Sequence, residues 1–142
     1  ISAYLPQNGQ NLLTLAYQDT QTKVASALEY ATDSLTATVK KEMIAPSVCD
    51  DCPQYMKDII VKYHRPEPTR PMGEKVTLTA AKFGGVPKYY IYTANDFAVG
   101  YELQKSMVKN NGAVKQTYVM NTSHLPFVVQ PQEFLKIILS IK

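Results

Sequence analysis

The rhythm of apolar and polar residues changes about two thirds of the way along the chain. From Lys88 onward it is regular. Tyr89 to Thr93 is almost unbroken β-former, the pattern of a strand covered on both faces. Val99, Leu103 and Met107 recur at i+4, which predicts a helix from just after Asp96 to about Asn110, closed by Asn111-Gly112 with the glycine as a left-handed cap. Val114 to Met120 predicts a second strand. Pro131 then opens a last helix, with Phe134, Leu135, Ile138 and Leu139 expected to face inward. Each strand-to-strand connection is long enough for a crossover, so the strands should be parallel and the fold class α/β.

Before Lys88 the pattern is weaker. Ile1 to Leu5 reads as the end of a strand that stops at Pro6 and turns at Asn8-Gly9. Gln10 to Asp19, with Leu12, Leu13, Leu15 and Ala16, predicts a short amphipathic helix. Ala27–Tyr30 and Leu35–Val39 suit a hairpin turning at Thr32–Ser34, with Leu35, Ala37 and Val39 on one face. Pro53 to Tyr63 predicts a helix with Pro53 in its first position and Met56, Ile59, Ile60 and Tyr63 on the buried side. His64 to Pro71 contains three prolines and should be extended or irregular. Val76, Leu78 and Ala80 alternate as in a short strand, and Phe83–Pro87 should turn.

Composition narrows the function classes. A length of 142 residues fits about one domain, and 45% hydrophobic with 19% charged residues is ordinary for a globular protein. A net charge of +3 with scattered lysines argues against a nucleic-acid partner. No apolar run reaches the ~18 residues of a membrane span. The first residue is Ile1, within what reads as a strand already under way, so the chain is expected to be a fragment, a processed product or one half of a split protein. With no signal peptide in view, a cytoplasmic placement is favoured over an exported one.

Candidate chemistry sits where the two regular strands end. Ligands of open α/β sheets bind beyond the carboxyl ends of the strands, and Asp96 and His124 both fall there. A histidine so placed needs a carboxylate to fix its tautomer and stabilise its cation. Asp before His, with a strand and helix between, is the chain order of acid and base in the α/β-hydrolases. The bland alternatives are that Asp96 caps the following helix and His124 is a solvated loop residue. No Gly-x-Ser-x-Gly nucleophile elbow occurs in the sequence.

Tyr90-Ile-Tyr-Thr-Ala-Asn-Asp96, Ser123-His-Leu-Pro126 and Gln130-Pro-Gln-Glu-Phe134 resemble the plant methylesterase and hydroxynitrile lyase branch of the α/β-hydrolases and its bacterial relatives. Ala3-Tyr-Leu-Pro6 with Gly9 resembles that family's strand before its cap, and Thr77-Leu-Thr79 with Phe83–Pro87 resembles the cap's return to the sheet. The resemblance is specific after Val76 and weak between Leu12 and Arg70. It implies the C-terminal half of an α/β-hydrolase: 1–6 as the end of a core strand, 7–86 as a cap region, and 87–142 as core strands and helices. It also implies that Asp96 and His124 are triad members in an esterase acting on small carboxylic esters, with no cofactor. The nucleophilic serine would then come from a separate N-terminal segment or chain, and this chain alone would be inactive. Leu125 stands where the family's lyases carry a lysine, which favours ester hydrolysis. The rival expectation is a non-catalytic binding module or pseudo-enzyme that keeps the pocket, with homo-oligomerisation through its sheet edge.

Other signals carry less. Cys49-Asp-Asp-Cys52 has redox-motif spacing, but two acidic residues oppose a reactive thiolate, and no second pair completes a zinc site. Free thiols or a local disulfide are the simpler expectations, and a disulfide would point toward export. His64 suits a helix C-terminus. Asn121-Thr-Ser123 matches a glycosylation sequon by chance. Tyr17, Tyr30, Tyr55 and Tyr63 are candidates to line an acyl pocket.

Overall fold

The computed structural model describes residues 1–141. Residues 1–5 form no ladder strand, contrary to expectation. Ser2 donates its N–H to the Ile91 carbonyl (3.0 Å), but its φ of +34° breaks the extended run at once. Gly9 takes the left-handed turn conformation (φ +83°). Helix α1 (Leu12–Ala16) is shorter than the periodicity suggests. It is started by a reciprocal cap in which the Asn11 side chain accepts from the Thr14 N–H (2.8 Å) and the Thr14 hydroxyl accepts from the Asn11 N–H (3.2 Å).

Strands β1 (Leu28–Tyr30) and β2 (Thr36–Val39) make the expected antiparallel hairpin, with Leu28 opposite Val39 and Tyr30 opposite Ala37. Ala37 is buried, whereas Leu35 lies outside the strand and is exposed, so the predicted face loses one member. Helix α2 (Lys41–Val48) was not predicted, because Pro46 inside it argues against a helix. Helix α3 (Gln54–Tyr63) lies where expected, but Pro53 is its N-cap rather than its first residue. Its predicted buried face is also wrong: none of its residues is fully buried, and Ile59 and Tyr63 are exposed. The proline-rich segment supplies β3 (Glu67–Pro68), an edge strand paired with β2, where the missing N–H of Pro68 is tolerated. A single turn of helix, α4 (Arg70–Gly73), follows. Val76 and Leu78 do not form a strand. They tie back instead to the Asn8–Gln10 turn, through Gly9 N–H to Val76 O (2.9 Å), Val76 N–H to Gln10 O (2.9 Å) and Leu78 N–H to Asn8 Oδ1 (2.8 Å). Ala80–Gly84 is a wide helical turn leading into the expected turn at Gly85–Pro87.

The remainder follows the predicted order: β4 (Lys88–Thr93), α5 (Tyr101–Asn111), β5 (Val114–Met120), the short α6 (Pro126–Val129) and α7 (Pro131–Ser140). Strands β4 and β5 are parallel, from Tyr89 opposite Gln116 to Thr93 opposite Met120. Gly112 closes α5 in the left-handed conformation (φ +63°). The N-terminus of α5 is satisfied from far away in sequence. Asp19 Oδ2 accepts from the Gly100 N–H (2.6 Å), and Gln21 Oε1 accepts from the Glu102 N–H (2.9 Å). A carboxylate there also complements the helix dipole. Gly100 is required by this approach, since a Cβ would collide with the Asp19 carboxylate and lie 2.7 Å from Gln21 Cβ.

Two apolar clusters hold these elements. One joins Leu15, Val99, Leu103 and Met107, with Tyr4 and Leu5 against them. The other joins Ile91, Met120 and Ile137, with Tyr118 and Phe134 against them. The face of α7 is therefore rotated from the expected one. Ile137 is its buried residue, Phe134 packs beside it, and Leu135, Ile138 and Leu139 are exposed.

Candidate active site

The loop after β4 is built around a carboxylate. Asp96 Oδ1 accepts the backbone N–H groups of Ala98 (2.8 Å) and Val99 (3.0 Å), and Oδ2 accepts the Thr93 hydroxyl (2.6 Å) and Gln104 Nε2 (3.3 Å). The side chain of Asp96 is fully buried. A buried charge is tolerated when its lone pairs are satisfied by such donors. The helix proper begins five residues later with Gly100 as N-cap, so Asp96 organises the loop rather than capping α5. Gln104 locks the arrangement. Its amide also donates to Val99 O (2.7 Å) and Thr93 O (3.2 Å), and its carbonyl accepts the Thr93 N–H (3.0 Å). Gln104 is not legible in the sequence. A fully buried glutamine one residue after Leu103 on an amphipathic helix leaves no pattern of its own.

The loop after β5 brings His124 to this carboxylate. Backbone bonds from Ala94 N–H to Met120 O (2.9 Å) and from Asn95 N–H to Thr122 O (3.1 Å) zip the two loops together. The Nδ1 of His124 lies 2.8 Å from Asp96 Oδ2. An ionised carboxylate only accepts hydrogen bonds, so Nδ1 carries the proton. The second ring nitrogen, Nε2, is then free of this bond, and the imidazole keeps 27% of its side-chain surface exposed. The structure thus brings together the two residues singled out from the sequence.

His124 lines a cavity of about 550 Å³. Its walls include Leu12, Leu13, Val24, Leu28, Met72 and Val99, and Tyr4, Tyr17 and Tyr30 also contribute. The lining is apolar apart from a few hydroxyl groups and the imidazole. Of the four tyrosines proposed for a pocket, Tyr17 and Tyr30 are present, while Tyr55 and Tyr63 lie exposed on α3. Burial pushes the Tyr4 phenol up to about 12, with the charges of Asp19 and Asp96 adding to the effect. Burial likewise raises Tyr90, with Asp96 next in effect, and its hydroxyl donates to Ala3 O (2.8 Å). Both phenols are therefore neutral in the physiological range.

Cys49 and Cys52 form a disulfide and are buried. His64 caps the C-terminus of α3 as expected, but its ring turns to the hairpin, with Nε2 3.1 Å from Thr38 Oγ1. Among the described residues no three His, Cys, Asp or Glu side chains gather closely enough to hold a metal ion. No helix among them is long and apolar enough to cross a membrane.

No protein-family model matches the chain. Among curated proteins, it is 36% identical over 77 residues to putative methylesterase 14, chloroplastic, of Arabidopsis thaliana, a match covering 54% of this chain and 22% of that protein. It is 29% identical over 153 aligned residues to putative methylesterase 13, chloroplastic, of the same plant, covering 99% of this chain and 34% of that protein. The chain thus spans between about a fifth and about a third of the length of these relatives. Among solved structures, a variant of polyneuridine aldehyde esterase superposes with a TM-score of 0.80 at 16% identity, over 99% of this chain and 60% of the other. A methylesterase from Arabidopsis superposes with a TM-score of 0.76 at 23% identity, over 97% and 55%. An extracellular α/β-hydrolase from a Paenibacillus species gives 0.71 at 18%, over 97% and 58%.

Proposed function

We propose that this chain, which has the fold of the α/β-hydrolases and is similar to plant methylesterases, supplies the acid and base of a carboxylic ester hydrolase. The nucleophilic serine would stand on a separate N-terminal segment or chain. The observation that carries this reading is the 2.8 Å contact between the buried Asp96 carboxylate and Nδ1 of His124, a residue that lines an apolar cavity. In the reaction, the partner serine oxygen attacks the ester carbonyl while His124 Nε2 takes the hydroxyl proton. That proton passes to the departing alcohol. Water then attacks the acyl-serine, giving its proton to Nε2, and the carboxylic acid leaves as the serine is reprotonated. Asp96 holds the ring in the required tautomer and stabilises the imidazolium. Backbone N–H groups of the complementing half would stabilise the oxyanion.

The apolar lining fits a small uncharged ester, and Leu125 beside the base offers no cation for lyase chemistry. Residues 7–86, which carry most of the lining, act as the cap, with 1–6 and 87–142 belonging to the core. The purified 142-residue chain should show no turnover of p-nitrophenyl acetate, since loss of a nucleophile costs orders of magnitude in rate. Turnover by this chain alone overturns the split-serine assignment. In a preparation holding the complementing polypeptide, a fluorophosphonate probe should label a serine on that partner, and His124→Ala should abolish both labelling and turnover. Binding of an apolar ester with no labelled serine in any co-purifying chain would instead identify a binding module.

A further inference from the structure

The loop that carries His124 is held from two sides. Toward β4 it is tied through Met120 and Thr122, as described. On the other side it meets the turn between α2 and α3. There Asp51 Oδ2 accepts the backbone N–H of Ser123 (2.8 Å), and the Ser123 hydroxyl reaches Val48 O (3.4 Å). Ser123 is buried and directly precedes His124. Asp51 lies 72 residues away in sequence and sits inside the Cys49–Cys52 bridge, which fixes the two residues on either side of Asp50-Asp51.

We infer that Asp51, clamped by the Cys49–Cys52 disulfide, is a positioning residue for His124. The inference rests on the hydrolase reading above. A charge-assisted bond to Ser123 N–H sets where the backbone leaves β5, and hence where the imidazole meets Asp96. The disulfide removes the freedom of a four-residue loop that would otherwise let Asp51 swing into solvent, because the Asp51 residue is itself exposed. No substrate contact is involved. Asp51 acts through Ser123, so its role belongs to the base's placement rather than to the reaction.

The test uses the isotopically labelled, oxidised full chain and reads two signals by nuclear magnetic resonance. In Asp51→Ala the Ser123 amide should exchange about tenfold faster. The His124 Nδ1–H resonance, which reports the bond to Asp96, should broaden or be lost. The amides of Thr93 and Val99 around Asp96 should keep their protection. Asp51→Asn retains an acceptor oxygen and should restore most of both signals. The Cys49→Ala/Cys52→Ala pair should reproduce part of the loss with Asp51 intact. An unchanged His124 Nδ1–H resonance in Asp51→Ala overturns the inference. So does a loss of protection spread equally over Thr93 and Val99, which would mark a general effect on stability. Ester turnover enters none of these readouts, so failure of the hydrolase reading and failure of this inference remain distinguishable.

Discussion

Between Lys88 and His124, five donors converge on one buried carboxylate, that of Asp96. Between Gln7 and Pro87, the longest helix, α3, buries none of its residues fully. The first region fixes its polar groups by burial and saturation. The second fixes its backbone by a three-stranded antiparallel sheet, a disulfide and scattered side-chain bonds. Yet most of the cavity wall comes from the second region, through Leu12, Leu13, Leu28, Tyr30 and Met72. The polar pair and the apolar wall are thus assigned to parts that are held together by different means. Asp96 and His124 stand in the first region, and most of the lining of the cavity stands in the second.

The contrast can be tested by substitution. Met107→Ala empties a buried site in the Leu15–Val99–Leu103 cluster, where the sulfur also accepts the Leu5 N–H, and should cost about 3 kcal/mol in urea unfolding. Gly100→Ala pushes a methyl group into Asp19 and Gln21 and should cost about 2 kcal/mol, read as a lower thermal midpoint. Ser47→Ala should stabilise by about 1 kcal/mol in the same urea assay, because the Ser47 hydroxyl is buried with no hydrogen-bond partner among the described residues. Ile59→Ala, on the exposed side of α3, should change stability by less than about 0.5 kcal/mol. A cost for Ile59→Ala equal to that for Met107→Ala would erase the distinction between the two regions.

The same contrast explains what could be read from the chain. Tyr89–Thr93 and Val114–Met120 appear where predicted, because a parallel pair joined by a helix imposes strong local patterns. The faces of the helices were less legible. In α7 the burial of Ile137 rather than Leu135, Ile138 and Leu139 depends on how the helix rolls against Met120 and Phe134, which periodicity alone does not specify. In α3 an apolar stripe is present but has little to cover it. Helix α2 was hidden by Pro46, whose local cost tertiary contacts override. Asp96 and His124 were legible because strand ends fix where loops point. Gln104, Asp51 and Asp19 were not, since each acts through a partner distant in sequence or through burial with no repeating signature.

The two arms of the candidate site also differ in how far apart their partners lie along the chain. Everything that holds Asp96 from its own side comes from within Thr93 to Gln104, with separations of at most 11 residues. The His124 loop instead makes a contact across 28 residues, from His124 to Asp96, and one across 72, from the Ser123 N–H to Asp51. Closing short loops precedes closing long ones, because the entropy lost grows with the span that must be fixed. Folding should therefore assemble the carboxylate nest first and seat the imidazole late. The Asp96 nest is in effect a self-contained cassette of one strand end and the loop and first helical turn that follow it, which the histidine should join only once the chain has found its long-range partners.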